Sequence, residues 1–418
     1  MKTGWPLASI ESLCIKVTSG GTPSRSNPAY YENGTIPWIK TGELKDWYVD
    51  AIQEQITEAA LRESSAKQFP KDTVLLAMYG DGKTMGSVGL LRKPCATNQA
   101  CCAMLTDPAK CDPKFLLYSL IYFRPAILKL TIAGAQRNLN GATIKQFKIG
   151  APDIYEQRRI ASILSAYDDL IENITRRIAI LEEMARRIYE EWFVRFRFPG
   201  HEQVKMVESE LGLIPEGWAV GTINDIVRLL SGFAFKSADF TDDGNYPLVT
   251  IKNVHDGVFI EDCTSRLADL PARMPKHCLL AQGDVLLSLT GNIGRCCVVT
   301  GNGYLLNQRV AKIDPIREVD RTYSYFFFRS TTTQESLSRI ANGVAQQNLS
   351  PVETGRMATL IAPEKLRDSF SSLAAPIFQQ MLVLRKKNAI LHATRDILLP
   401  KLISGELDVS TLPVLEPT

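Results

Sequence analysis

The stretch that decides the fold runs from residue 160 to residue 192 and reads IASILSAYDDLIENITRRIAILEEMARRIYEEW. Apolar side chains recur in it at alternating spacings of four and three residues, which is the heptad pattern of a coiled coil. The resulting seam consists of Ile160, Leu164, Tyr167, Ile171, Ile174, Ile178, Leu181, Ala185, Ile188 and Trp192. The pattern predicts a long helix that packs along one narrow stripe against a second helix.

A second seam lies 210 residues further along the chain. Its members are Phe370, Ala374, Ile377, Met381, Leu384, Asn388, Leu391, Arg395, Leu398 and Leu402. If the two helices pack antiparallel with matched ends, Asn388 lies beside Ile174, and Arg395 lies over the ring of Tyr167. A polar seam residue lowers stability but can set the register. Pro376 and Pro400 predict a less regular second helix.

The two helices belong to a larger internal repeat. Gly4-Trp5 recurs as Gly217-Trp218, Asn98-Gln99 as Asn307-Gln308, and Ala135-Gln136-x-Asn138-Leu139 as Ala345-Gln346-x-Asn348-Leu349. Before each helix, turn residues separate short β-branched or aromatic runs, such as residues 36–39 and 284–289, which predicts strands with a few short helices. The predicted fold is α+β, with two repeated globular domains separated by two long helices that form an antiparallel coiled coil.

The repeat also predicts the domain boundaries. They are a first globular domain at 1–152, a first spacer helix at 153–198, a linker at 199–216, a second globular domain at 217–363, a second spacer helix at 364–407 and a C-terminal tail at 408–418.

Composition excludes several classes of function. No apolar run approaches the roughly 18 residues that a membrane span needs, and no hydrophobic signal core follows the first residues, so we expect a cytoplasmic protein without a membrane partner. The nine cysteines show no C-x-x-C spacing and the four histidines are scattered, which predicts neither a metal site nor disulfides. The Cys101-Cys102 and Cys296-Cys297 pairs are expected to be buried thiols.

Two motifs resemble catalytic sites and fail on inspection. Ala77-x-x-x-x-Gly82-Lys83-Thr84 follows an apolar run as a Walker A loop does, but its first glycine is replaced by alanine and no good helix opening follows. Asn27-Pro28-Ala29-Tyr30 lacks the second proline of the amino-methyltransferase motif. We therefore predict that this chain catalyses nothing and binds no cofactor itself.

Candidate DNA-binding residues occur in the turn-rich segments of both repeats. Each seam of about 33 residues would form a rod of roughly 50 Å, long enough to hold two domains at half-sites one DNA turn apart. Arg and Lys hydrogen-bond guanine, and Asn and Gln hydrogen-bond adenine. The candidates are Arg25, Lys40, Lys83, Asn98, Gln99, Gln136 and Arg137, then Lys236, Lys252, Asn253, Asn292, Arg295, Gln308, Arg309 and Gln347. Alternatively, these are solvated or turn-capping residues, because a shared structural cap would recur equally well.

Together these features make the chain recognisable. The motifs are Gly20-Gly21-Thr22-Pro23-Ser24, residues 31–39 (YENGTIPWI), Pro152-x-x-x-Glu156-Gln157-x-x-Ile160, Ile214-Pro215-Glu216-Gly217-Trp218 and residues 399–407 (LPKLISGEL). In this combination the chain resembles the specificity (S) subunits of type I restriction–modification systems.

The resemblance implies a non-catalytic subunit that recognises a bipartite, asymmetric target in double-stranded DNA. Residues 1–152 and 217–363 would be target-recognition domains. Two methyltransferase (modification) subunits would bring S-adenosylmethionine, and restriction (translocase) subunits would bring ATP and Mg. The first glycine motif becomes Gly232-Phe233-Ala234-Phe235-Lys236 in the second repeat, so the two domains are expected to read different half-sites.

Two rival hypotheses remain open at this point. The chain could be a free-standing, two-headed, sequence-specific DNA-binding protein, or a coiled-coil adaptor with no nucleic-acid partner. An enzyme would require the Lys83 turn to bind nucleotide. A neighbouring methyltransferase gene would favour the specificity subunit over the others.

Overall fold

The computed structural model describes residues 5–80, 84–130, 138–342 and 348–410. The chain forms two compact units, one made of residues 1–172 and 390–418 (unit 1) and the other of residues 173–389 (unit 2). Each unit therefore combines one globular domain with segments of both long helices.

Unit 1 contains two four-stranded sheets. Its strands are β1 (Leu7–Ser9), β2 (Cys14–Ser19), β3 (Ile36–Ile39), β4 (Glu54–Ile56), β5 (Lys67–Phe69), β6 (Val74–Ala77), β7 (Val88–Leu90), β8 (Cys95–Thr97), β9 (Cys101–Thr106) and β10 (Lys148–Gly150). Its helices are α1 (Ile10–Leu13), α2 (Glu58–Glu63), α3 (Pro113–Lys129), α4 (Gly141–Gln146) and the first part of α5 (Ile154–Tyr189).

The two sheets of unit 1 differ in strand direction. One has the order β2-β9-β6-β7 and is antiparallel throughout. The other has the order β4-β3-β8-β5, and its central pair is parallel, with Trp38 opposite Ala96 and Ile39 opposite Thr97. Central strand β6 is a continuous apolar run that is buried along its whole length, as expected of a strand covered on both faces. β1 pairs with β10, which joins the two ends of the domain.

Unit 2 repeats this arrangement. Its strands are β11 (Met206–Ser209), β12 (Gly212–Pro215), β13 (Ala219–Thr222), β14 (Val227–Ser231), β15 (Tyr246–Val249), β16 (Val254–His255), β17 (Val258–Phe259), β18 (Arg266–Leu267), β19 (Leu279–Leu280), β20 (Val285–Ser288), β21 (Cys296–Val298), β22 (Tyr304–Leu306), β23 (Val310–Pro315) and β24 (Ala358–Ile361). Its further helices are α6 (Arg321–Arg329), α7 (Thr331–Asn342), α8 (Pro351–Gly355) and the first part of α9 (Glu364–Ile403).

The strand orders of unit 2 match those of unit 1. The antiparallel sheet runs β14-β23-β20-β21, and the mixed sheet runs β18-β15-β22-β19 with β15 and β22 parallel. β13 pairs with β24 as β1 pairs with β10. The predicted α+β fold and its internal duplication are therefore confirmed.

The two long helices run antiparallel in unit 2. Asn388 Nδ2 donates to Thr175 Oγ1 at 3.1 Å, and Arg385 Nη2 lies 3.0 Å from Glu182 Oε2. The residue numbers along α9 therefore decrease as those of their partners along α5 increase. In unit 1, Arg395 Nη1 lies 2.5 Å from Asp168 Oδ1.

The two polar seam residues, Asn388 and Arg395, thus contact Thr175 and Asp168. Each partner is the residue that directly follows the expected one, Ile174 or Tyr167. Arg395 binds the buried carboxylate of Asp168, the residue after Tyr167, because that carboxylate needs the guanidinium as its counter-charge. All other predicted seam residues are buried or half-buried.

Two features of the long helices differ from the prediction. α5 ends at Tyr189 and gives way to a π-helical turn over Glu190–Val194, so seam residue Trp192 lies in that turn and the helix does not reach residue 198. α9 passes through Pro376 and Pro400 as one unbroken helix, because Phe370 and Phe378 anchor it in the core on either side of Pro376.

The segment 199–216 is also more ordered than a linker. It contains the antiparallel hairpin of β11 and β12. Ile214 of this hairpin and Phe198 just before the segment belong to the core of unit 2 together with Trp218. Burial of these three side chains explains why the segment folds onto the domain that follows it.

The cysteines are free thiols, as predicted. Cys101, Cys102, Cys296 and Cys297 are all buried in strands. Burial raises the pKa of the Cys102 thiol to about 12, so the reactive thiolate is scarce at neutral pH.

Close backbone approach explains the repeated Ser-Gly dipeptide. A Cβ on Gly20 would lie 2.1 Å from the carbonyl oxygen of Thr97, and one on Gly232 would lie 2.2 Å from that of Asn307.

We expect Gly20→Ala to destabilise unit 1 by about 2–3 kcal/mol, because the backbone must move to admit a methyl group. Gly42→Ala is the matched control, since nothing lies within 4 Å of its added Cβ. Urea unfolding measures both, and equal stabilities would contradict the steric explanation.

Candidate nucleic-acid interface

In unit 1, several candidate residues meet at the carboxyl ends of the parallel strands β3 and β8. Lys40 directly follows β3, and Asn98 and Gln99 directly follow β8. The backbone N–H of Asn98 donates to the carbonyl of Ile39 at 3.0 Å, which holds the two strand ends together. The side chain of Thr22 donates to Gln99 Oε1, which ties the glycine-rich loop to the same edge. We call this set of residues, with Arg25 and Glu54, the unit 1 edge.

Glu54 organises the cations of the unit 1 edge. Its carboxylate lies 2.6 Å from Arg25 Nη2 and also binds Lys40 Nζ. The Lys40 hydrogen bond and the Arg25 charge lower the pKa of Glu54, so it is ionised at neutral pH. The Arg25 guanidinium also lies 4.5 Å from the ring centroid of Tyr31 and 5.1 Å from that of Trp38. A side chain that is 55% exposed is thereby held in one place.

Unit 2 presents the equivalent edge at β15 and β22. The backbone N–H of Asn307 donates to the carbonyl of Val249 at 3.1 Å, in the same way as Asn98 does to Ile39. Gln308 and Arg309 follow β22 and are exposed. Lys252, after β15, is exposed as well, as is Lys236 in the loop that follows Gly232. The two units therefore offer one backbone frame with different side chains.

The recurring Asn-Gln dipeptide has a structural explanation in its first residue. Asn98 Oδ1 accepts from the backbone N–H of Ala100 at 3.2 Å, and Asn307 Oδ1 accepts from that of Arg309 at 3.2 Å. Both asparagines cap the same turn. For Asn98 this supports the alternative of a shared cap.

Asn253 is not available for base recognition. It is 2% exposed, its Oδ1 accepts from the backbone and the hydroxyl of Thr250, and its Nδ2 donates to the carbonyls of Ile260 and Asp262. The side chain holds its own loop together, which supports the structural alternative for this candidate.

A second cluster in unit 2 surrounds Arg295 in the turn between β20 and β21. With its amide oriented to satisfy both groups, Asn292 accepts from Arg295 Nη1 at 3.1 Å and Nη2 at 3.2 Å. Arg295 Nη1 also donates to His255 Nδ1 at 3.1 Å. Two predicted candidates are therefore brought together, and His255, which sequence reasoning missed, supports them.

The repeated Asn-Leu pair lies beside the turn that contains Asn292. The backbone N–H of Leu349 donates to the carbonyl of Leu289 at 2.8 Å, and Leu139 donates to Met78 at 2.8 Å in unit 1. Both leucines are buried, which explains their recurrence. The candidates Lys83, Gln136, Arg137 and Gln347 lie outside the described residues.

Two further findings concern the described residues only. They contain no group of three or more His, Cys, Asp or Glu side chains that could hold a metal ion. None of the helices in this part of the chain is long and apolar enough to cross a membrane.

Comparison with known proteins decides the family. The model of the type I restriction modification DNA specificity domain matches residues 3–183 and again residues 215–351. The chain belongs to this family. Its two matches cover most of the globular domain of each repeat. The subunit itself is non-catalytic, since specificity subunits direct the activity of the complex in which they assemble with DNA.

Individual relatives agree with this assignment. The chain is 27% identical over 417 residues to the type I restriction enzyme MjaIX specificity subunit of Methanocaldococcus jannaschii, covering 98% of this chain and 94% of that one. It is 31% identical over 191 residues to the EcoR124I/EcoR124II specificity subunit of Escherichia coli, covering 44% and 46%. The crystal structure of the S subunit of a type I restriction-modification system from M. genitalium shares the fold, with a TM-score of 0.63 at 17% identity over 96% of each chain.

Proposed function

We propose that this specificity subunit recognises an asymmetric DNA sequence in two parts, with one half read by each globular domain. The observation that carries the proposal is the pair of equivalent strand edges with different side chains. Both edges present the glutamine of the repeated dipeptide, Gln99 or Gln308, but the unit 1 edge adds Arg25 from the glycine-rich loop and the unit 2 edge adds Arg309 after the dipeptide. The shared backbone arrangement of the two edges favours equivalent placement of the two domains on DNA. Their different side chains favour recognition of different base sequences in the two half-sites.

The subunit would act with partners that supply the chemistry. Two methyltransferase subunits would bind S-adenosylmethionine, one for each half-site, and restriction subunits would use ATP and Mg to translocate and cleave DNA. Two binding places for one kind of partner follow naturally from an internal duplication. The location would be the cytoplasm, where the DNA target and these partners meet.

Exchange of one domain tests the two-part reading. A chimaera that carries residues 1–152 of a related specificity subunit should methylate a target in which one half is new and the other half is unchanged. The reciprocal exchange of residues 217–363 should change the other half only. Sequencing that detects methylated bases measures both targets. A change in both halves from one exchange would contradict modular recognition.

A further inference from the structure

We propose that Arg25 reads the guanine of one G·C pair within the half-site of the first domain, and that Glu54 is the residue that positions it. The inference rests on the proposed function, because it names what the unit 1 edge recognises. Glu54 lies on β4 and reaches Arg25 only through the pairing of β4 with β3.

The Arg25 side chain is held from two directions. Glu54 binds Nη2 at 2.6 Å, and the rings of Tyr31 and Trp38 lie 4.5 Å and 5.1 Å from the guanidinium carbon. Trp38 is itself fixed, because it is 2% exposed and its Nε1 donates to the carbonyl of Gly21 at 3.1 Å. A guanidinium that is ordered before binding loses less entropy when it binds.

The guanidinium keeps donors for a ligand. It has five N–H groups, and among the described residues Glu54 is its hydrogen-bonding partner, through Nη2. Guanine presents two adjacent acceptors, O6 and N7, in the major groove, and a planar fork of N–H groups fits them together. A lysine cannot make this paired contact, because its ammonium group is a point charge without a planar fork of donors.

The carboxylate favours a base over a phosphate as the ligand. A phosphate bound by Arg25 would also lie close to the ionised Glu54, and the two anions would repel each other. The edge of a guanine carries no net charge, so Glu54 can hold the cation beside it without that penalty. Lys40 binds the same carboxylate and balances part of its charge.

Binding of duplexes by the assembled complex tests the inference. The full chain is purified with its cognate methyltransferase, and the probe is a duplex with the target found by methylation mapping, together with every single-base change in the first-domain half-site. The wild-type complex should prefer one G·C pair by roughly tenfold or more. Arg25→Lys and Glu54→Gln should both lose most of that preference at the same position and keep the other half-site. Unchanged preferences at the other positions of the first half-site show that the first domain of each variant is folded.

Glu11→Gln is the matched control. Glu11 is a partly exposed carboxylate of the same domain that pairs with Lys145, so its loss should leave every preference unchanged. If Arg25→Lys keeps the preference, or if Arg25→Gln weakens all sequences equally and lowers the salt dependence, Arg25 contacts phosphate and the inference is wrong. It is also wrong if Glu54→Gln keeps the preference. A wild-type complex with no sequence preference would instead overturn the proposed function.

Discussion

Replacing Arg395 with alanine is expected to destabilise unit 1 by about 3–5 kcal/mol. Arg395 on α9 pairs with Asp168 on α5, whose other carboxylate oxygen accepts from the hydroxyl of Tyr118 on α3 at 2.6 Å. Asp168 is only 4% exposed, so the variant leaves a buried carboxylate without its counter-charge. Chemical denaturation of the full chain measures the loss. Lys401→Ala is the control, because Lys401 is an exposed cation of the same helix segment.

The pH dependence of this loss can be stated with its sign. Burial raises the pKa of Asp168, and Arg395 opposes that rise, so the pKa rises further when Arg395 is removed. A carboxyl whose pKa is higher in the folded state takes up a proton on folding, and the folded state gains stability as the pH falls through that pKa. The destabilisation by Arg395→Ala should therefore shrink as the pH is lowered from neutral through the raised pKa of Asp168. If the destabilisation caused by Arg395→Ala instead grows as the pH is lowered, the result would contradict a buried, ionised Asp168.

Replacing Ile174 with aspartate is expected to destabilise unit 2 by at least about 4 kcal/mol. Ile174 is a seam residue of α5 and is 2% exposed. The change removes a buried aliphatic side chain and puts a carboxylate without a partner in its place. Loss of helical circular dichroism on heating measures the effect.

Ile180→Asp is the matched control for the seam. It makes the same substitution on the same helix, but Ile180 is 59% exposed. We expect it to change stability by less than about 1 kcal/mol. Equal effects of the two variants would show that the heptad does not define the packed face.

The heptad pattern predicted the two long helices and their buried faces, because a seam of this length has few other ways to become buried. It did not predict that Arg395 pairs with Asp168. The rotation of a helix about its axis depends on where buried charges find partners, and the hydrophobic pattern does not encode those partners. The hairpin at residues 206–215 was missed for a related reason, since its stability comes from Ile214 packing in a core built by distant residues.

The candidate site could be predicted only in part. Choosing cations and amides by type identified Arg25 and Lys40, which the structure brings together on one carboxylate. The same rule selected Asn98 and Asn253, whose side chains instead cap or hold their own turns. Glu54 was missed because its contact with Arg25 depends on strand pairing across the sheet.

The most direct test of the central claim is a base-resolution map of DNA methylation in cells that express the cognate methyltransferase, with and without this chain. The specificity-subunit account predicts one two-part motif that is methylated only when the chain is present. An identical map in both cells, with an active methyltransferase and a folded chain, would contradict it.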